Sequence, residues 1–375
     1  MSRGLGDVYK RQVTFPHLGN SCYAAKAIFD TLGIKYIIPK ASNKKALEIG
    51  SLYSPDEICL PFKIMIGNYI QSIEEGADTI VIAGSCGPCR FGEYCELQMN
   101  TLKKLGYDLD FIVIDSPKDI GKDEFLTRIN KIAIHSNVSS TKKFSSLIYG
   151  LKIINLMDSL DKKAKIKAGY EINNGDSKKI LWDCKNQILN CKTAKEMINL
   201  VKHHHKKLKE VPIDKSKNPL KIAIIGEIYT IIEPFSNLYI EDKLMDYGIC
   251  TSKILYPSWW VKNTALSPLN LDCLSLKKAS KKYLSLGIGG YGRECIGEAV
   301  LAKKNGFHGA IQIFPLGCMP EIVSKSILPT ISKNENFPIM SLVVDEMTGE
   351  AGYSTRIEAF IDLLERREEN VLYGS

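Results

Sequence analysis

No apolar run in the 375 residues approaches the ~18 needed to cross a membrane, and no charged, apolar and small-residue leader opens the chain. The sequence therefore excludes a membrane partner and a secretory signal, and a cytoplasmic protein is expected. No Walker-type phosphate loop is present, so the chain offers no ATP site of its own. Its one Cys-x-x-Cys has neither a second such pair nor a paired His to complete an ordinary structural zinc site. Basic residues outnumber acidic ones, 50 to 42, for a net charge of +8, but the excess Lys is spread along the chain. Such a diffuse charge suits an anionic ligand or solubility and gives no footprint for nucleic acid.

What is present is ordinary globular composition. Apolar residues make up 45% and charged residues 25%, which excludes disordered, collagen-like and fibrous chains. The length fits two domains, each able to bury a core. Eleven Cys in a chain expected to be cytosolic should not form a disulfide framework, because that compartment keeps thiols reduced. Metal ligation, redox chemistry or burial must account for them. Met1 to Gln12, reading MSRGLGDVYKRQ, has no periodicity and resembles a translated sequencing adapter. It is set aside as a non-native leader, with the expectation that the natural N-terminus is missing and the first strand, Val13 to Phe15, is cut short.

From Val13 onward, short apolar runs alternate with helical stretches. Strands are expected at Val13 to Phe15, Tyr36 to Ile38, Thr79 to Ala83 and Phe111 to Ile114. Helices are expected near Tyr23 to Leu32, from Cys59 to about Glu75, and over Tyr94 to Leu105. Thr79-Ile-Val-Ile-Ala83 is continuously apolar, as a strand covered on both faces should be. Residues 121–218 change character: they are Lys-rich and mostly helical, ending in a linker near Pro219. His203, His204 and His205 lie consecutively on a basic helix there and so point to different faces, whereas metal binding needs i, i+4 spacing. The strand pattern restarts at Leu220 to Ile225 and continues at Thr251 to Leu255, Gly309 to Phe314 and Ile339 to Val344. Helices are expected at Asn237 to Tyr247, from about Glu298, and over Ser354 to Glu369. The expected fold is α/β: doubly wound parallel-sheet domains at 13–120 and 219–375 facing a central cleft, with a helical segment inserted between them.

The cysteines are not scattered evenly over this pattern. Cys22, Cys86 and Cys318 each follow an expected strand, and Cys59 opens an expected helix. Ligands of open α/β sheets bind beyond the strand C-termini, and helix N-termini favour thiolates. Cysteines so placed in both halves would converge on the cleft. Cys184, Cys191, Cys250 and Cys273 fall in helical or loop stretches and read as ordinary thiols.

Cys86-Gly-Pro-Cys89, between a strand and a helix, suggests a thioredoxin-type redox pair. Against it stand a further Cys at 95, the lack of a Pro-bearing strand about forty residues on, and the length of the chain. Zinc ligation, inert thiols and iron-sulfur ligation are the other readings, although neither ferredoxin spacing is met. Gly287-Ile-Gly-Gly-Tyr-Gly292 looks like a phosphate loop, but it follows a helical stretch, Leu276 to Leu286, and not a strand. Gly289, Gly290 and Gly292 are instead expected to bring backbone close to a cofactor or substrate. Leu316-Gly-Cys-Met-Pro320 follows a strand and reads as a tight turn that aims one thiol into the cleft, the alternative being a buried thiol in a turn.

Cys59-Leu-Pro-Phe-Lys63, Gly67, Ala77 to Cys86, Cys318, Asp345-Glu346 and Thr355 to Phe360 together resemble the 2-hydroxyacyl-CoA dehydratase and benzoyl-CoA reductase subunits. Phe15 to Cys22, Gly289 to Cys295 and Gly349 to Thr355 are similar to the activase-associated branch of that family, which is related to double-cubane cluster proteins. The likeness covers most of Val13 to Arg367. It implies tandem flavodoxin-like domains and an iron-sulfur cluster, [4Fe-4S] or double-cubane, with Cys59, Cys86 and Cys318 as core ligands. Cys22, Cys89, Cys95 and Cys295 are additional candidate ligands. It also implies a low-potential electron supplied by an ATP-dependent activase protein and an acyl-CoA as the candidate substrate for dehydration or reduction; a non-catalytic partner of a dehydratase complex is the alternative, and an exposed cluster cleft would suit a dimer.

Overall fold

In the computed structural model, residues 12–84, 90–115, 120–133, 136, 138–266 and 273–373 are described. In chain order the first elements are β1 Val13–Thr14, α1 Ser21–Leu32, α2 Lys44–Tyr53, α3 Leu60–Glu74, β2 Thr79–Ala83, α4 Tyr94–Lys104, β3 Asp110–Ile114 and α5 Lys122–Ala133. Three long helices follow, α6 Ser140–Lys167, α7 Asp176–Ile188 and α8 Ala194–Glu210. The remainder comprises β4 Lys221–Gly226, α9 Ile228–Ile232, α10 Ile240–Asp246, β5 Cys250–Ser252, α11 Pro257–Leu266, α12 Leu274–Ser280, α13 Gly292–Lys304, β6 Gly309–Pro315, α14 Met319–Asn334, β7 Ile339–Val344 and α15 Glu350–Tyr373. The chain is α/β with two parallel sheets, one of three strands and one of four.

The first unit holds the described residues of 1–158, 184–203 and 257–272. Its sheet runs β1-β2-β3, all parallel, with Val13 opposite Thr79 and Thr79 opposite Asp110. The strand expected at Tyr36 to Ile38 is reduced to one parallel bridge, Tyr36 to Val13. Val13, Phe15, Phe29, Val81 and Ile112 build the core on this sheet. Helix α3 is buried from Leu60 to Ser72 without interruption, the behaviour of a helix that is apolar on all sides and central to its unit. Helix α2 lies against it so closely that a Cβ on Gly67 would fall 1.8 Å from the Ala46 carbonyl oxygen, and one on Gly50 would fall 1.7 Å from that of Lys63.

The second unit holds residues 159–183, 204–256 and the described residues of 273–375. Its strands order as β5-β4-β6-β7, again all parallel. Every residue of β6 is buried, as a strand covered on both faces requires. Counted in chain order, with Tyr36 taken as the second strand position of the first unit, both sheets read 2-1-3-4. The helix expected from about Glu298 starts earlier, at Gly292, and the helical stretch expected at Leu276 to Leu286 is the shorter α12. Cys250 was expected in a helix or loop and instead opens β5, a three-residue edge strand too short to show a period of its own. Residues 121–218 are helical and are shared between the two units. No helix among the described residues is long and apolar enough to cross a membrane.

Candidate functional site

Cys59 and Cys318 occupy the same local structure in different units. Each is the N-cap of a helix, each has extended backbone (φ −70°, ψ 153° and φ −71°, ψ 100°), and each precedes a Pro in the first helical turn, Pro61 and Pro320. Neither sulfur caps its own helix, and both residues are partly exposed. An early Pro costs the helix nothing, because the N–H it lacks would have had no intrahelical partner. The remaining free N–H groups make each position favourable for a thiolate. Ahead of Cys318 the chain turns at Gly317, whose φ of +78° suits glycine, so the expected tight turn after β6 is present.

In the first unit the Cys59 sulfur meets the hydroxyl of Tyr94, the first residue of α4. Tyr94 is 1% exposed, and its ring stands edge-on to Phe62 of α3, with centroids 5.1 Å apart and planes at 80°. The next residue, Cys95, is half-buried. Its thiol is held above the ordinary value, chiefly by burial and further by Asp115 and Glu93. Cys86 and Cys89 lie outside the described residues. β2 ends at Ala83, three positions before Cys86 in sequence, and the described chain resumes in a 3-10 turn at Arg90–Glu93.

Cys22 and Cys295 have a different setting. Cys22 is the second residue of α1 and is packed into the core with Phe15, Phe29 and Val81. Cys295, on α13, is fully buried among Ala223, Ile225, Ala299 and Leu328. Burial, with Glu321 and Glu298 nearby, pushes its thiol well above the ordinary range. Gln312 of β6 donates to Glu321 Oε2 at 2.8 Å and accepts at Oε1 from Ser341 of β7 at 2.7 Å. This buried polar network carries no signal in the linear sequence, because its members come from two strands and a helix.

Gly289 and Gly290 have φ of +83° and +52°, backbone that glycine tolerates. Gly292 opens α13 directly against α14, where a Cβ would lie 2.6 Å from the Pro320 carbonyl oxygen. On α8, His203 is exposed, His204 buried and His205 half-buried, so consecutive placement does send them to different faces. Among the described residues no three His, Cys, Asp or Glu side chains are gathered so as to hold a metal ion.

Tested against the needs of an iron-sulfur cluster, Cys59 and Cys318 fit. They are accessible, they sit at helix N-termini, and their sulfurs do not cap their own helices. Cys22 and Cys295 are buried, so their sulfurs are not presented at the surface as those of Cys59 and Cys318 are. No protein-family model matches the chain, and no curated protein matches it.

Proposed function

We propose that the protein is an iron-sulfur redox protein of the kind its resemblance to the 2-hydroxyacyl-CoA dehydratases implies. It would take a low-potential electron from an ATP-dependent activase, with an acyl-CoA as candidate substrate. The observation that carries this reading is the duplicated Cys-x-Pro helix cap, Cys59 to Pro61 and Cys318 to Pro320, one in each α/β unit. The common 2-1-3-4 strand order supports a doubly wound arrangement in both units, and such sheets bind ligands beyond their strand C-termini. The spacing of Cys86 after β2 equals that of Cys318 after β6: each is three residues past the last strand residue.

The ligand set proposed is Cys59, Cys86 and Cys318, with Cys89 and Cys95 as further donors in the same stretch of sequence. A bound [4Fe-4S] or double-cubane cluster would supply low-potential one-electron chemistry. The chain's own contribution is to present thiolates at helix N-termini, where free N–H groups stabilise negative charge on sulfur and set the potential.

Anaerobic purification, with iron and acid-labile sulfide quantified per chain and EPR recorded after reduction, tests this. The expected protein is brown, with stoichiometric iron and sulfide, and loses both in Cys59→Ser and Cys318→Ser. A colourless, iron-free protein whose disulfide reductase activity disappears in Cys86→Ser would replace this reading with a thiol-disulfide module built on Cys86 and Cys89.

A further inference from the structure

The N-terminal half of α6 is apolar on two opposite faces, and only one of them is covered. Its inner face is seated on α1 so closely that a Cβ on Gly150 would fall 2.7 Å from Ile28 Cδ1. Ser146, Gly150, Ile153 and Ile154 on that face are buried. On the outer face Phe144, Leu147, Ile148 and Leu151 are 67%, 44%, 47% and 47% exposed. At 3.6 residues per turn these positions fall within about 100° of arc. Theirs is the i, i+3, i+4, i+7 spacing with which one helix packs against another. A lone exposed apolar residue is ordinary, but a contiguous apolar stripe marks an interaction site.

Charge decides what covers the stripe. Lys143 and Lys152 flank it on opposite sides, Lys142 lies at its N-terminal end, and no Asp or Glu occurs between Ser140 and Met157. A second copy of the chain would bring two lysine-flanked stripes together, with like charges opposed. An anionic lipid surface would also attract the lysines, but it needs an apolar face that lies flat along the interface. Here the stripe ends after about two turns, because its next position is the exposed, polar Asn155. A helix with apolar anchors at the same spacing and carboxylates beside them satisfies both features, since the anchors cover the stripe and the carboxylates reach the lysines.

We infer that this face of α6 is a docking surface for an amphipathic helix of a partner protein, one whose apolar stripe is flanked by Asp and Glu. The surface lies wholly within the first unit and needs no metal, so it stands apart from the iron-sulfur reading. Its seat on α1 fixes the helix in advance, so docking has side chains to order but no backbone.

Two synthetic amphipathic peptides of about three heptads test this against the full-length chain. Both carry Leu along one face; one has Glu at the flanking positions and the other has Lys. Fluorescence anisotropy is recorded at concentrations where the peptides are monomeric. The Glu peptide is expected to bind, and the Lys peptide to bind about tenfold more weakly or worse. Ile148→Ser should weaken binding of the Glu peptide by about tenfold, the loss typical of an interface anchor. The double variant Lys143→Glu with Lys152→Glu should reverse the preference between the two peptides. These side chains lie outside the core, so thermal midpoints should match wild type and exclude a folding defect. Leu52→Ser, which removes a 73% exposed side chain from α2, is the control and should leave both affinities unchanged.

Equal affinity for the two peptides, or binding of neither, would overturn the assignment. Adhesion to phosphatidylglycerol vesicles that Ile148→Ser abolishes, with no peptide bound, would give the face to a membrane instead. A dimer in analytical ultracentrifugation that Ile148→Ser dissolves, again with no peptide bound, would give it to a second copy.

Discussion

Lys165 Nζ lies 2.6 Å from Glu241 Oε2, and neither side chain is more than 9% exposed. Lys165 also pairs with Asp161 at 2.5 Å, and Lys253 reaches the same Glu241 oxygen at 2.6 Å. Two cations and two anions thus neutralise one another inside the second unit. Burial alone would pull Lys165 down, but Asp161 and Glu241 outweigh it and hold its pKa above the ordinary value. Burial likewise raises Glu241, and the two lysines more than reverse that, leaving it below the usual carboxylate value. With Lys165 raised, its share of stability is present below the unfolded lysine value and is lost as pH climbs through the folded one.

Lys165→Met should therefore cost about 3–5 kcal/mol, because it strands a buried negative charge. The double variant Lys165→Met with Glu241→Met keeps Asp161 and Lys253 and restores neutrality. It should be less destabilised than the single variant, a non-additivity expected of groups in one network. Urea-unfolding midpoints measure both. A double variant at least as unstable as the sum of its parts would show that the four groups act independently.

Glu321 gives a pH dependence of the same sign in a lower pH window. Its carboxyl is pushed up to about 7, chiefly by burial, with Gln312 and Cys295 opposing. A carboxyl raised in the folded state stays protonated there at a pH where the unfolded chain has already ionised. The native state then binds more protons, and stability falls as pH rises from about 4.5 to about 7. Glu321→Gln, which can still accept from Gln312 through its amide oxygen, should remove that slope. It should gain up to about 3 kcal/mol at pH 8 relative to wild type, with little difference at pH 4. Thermal midpoints across pH 4 to 8 check this. A parallel pair of curves would place the titration elsewhere, at Glu298 for example, which burial also raises strongly.

These networks show where reading the sequence succeeds and where it stops. The strand Thr79–Ala83 is legible because a β-branched run of Thr and four apolar residues suits a strand covered on both faces. The helix opened by Cys59-Leu-Pro61 is legible because Pro announces a first turn. Position at a helix start does not say whether a side chain faces water or the core. Cys22 and Cys295 also lie in the first turn of a helix, yet they face the interior. The Cys59–Tyr94 contact and the Ser341–Gln312–Glu321 network depend on how elements distant in sequence pack, and a period of 2 or 3.6 residues carries no record of that.

The same contrast separates the cysteines by reactivity. In native, metal-free protein, Cys59 and Cys318 should react with a maleimide, whereas Cys22 and Cys295 should react only after denaturation. Cys22→Ala and Cys295→Ala should retain whatever iron the wild type binds, at a modest cost in stability from the small cavity each leaves. Mass-spectrometric mapping of labelled peptides, with iron analysis of the two variants, decides the matter. Iron lost from Cys295→Ala at native fold would bring that residue back into the ligand set.

Gly67 belongs to the stretch that carries the family resemblance, and the packing gives its presence a physical reason. It sits on α3 where α2 crosses closest, with the Ala46 carbonyl oxygen 1.8 Å from the place a Cβ would take. Backbone cannot yield there as a flexible side chain would, so Gly67→Ala must push α2 off α3. It should destabilise the first unit by about 3 kcal/mol or more. Gly349→Ala, where a Cβ meets nothing within 4 Å, should stay within about 0.5 kcal/mol of wild type. Because α3 also carries Cys59 at its N-cap, Gly67→Ala should open the first unit to protease and speed labelling of Cys22 as well. Unchanged Cys22 protection in a destabilised Gly67→Ala would show that α2 can lift away without exposing the core on β1 and β2.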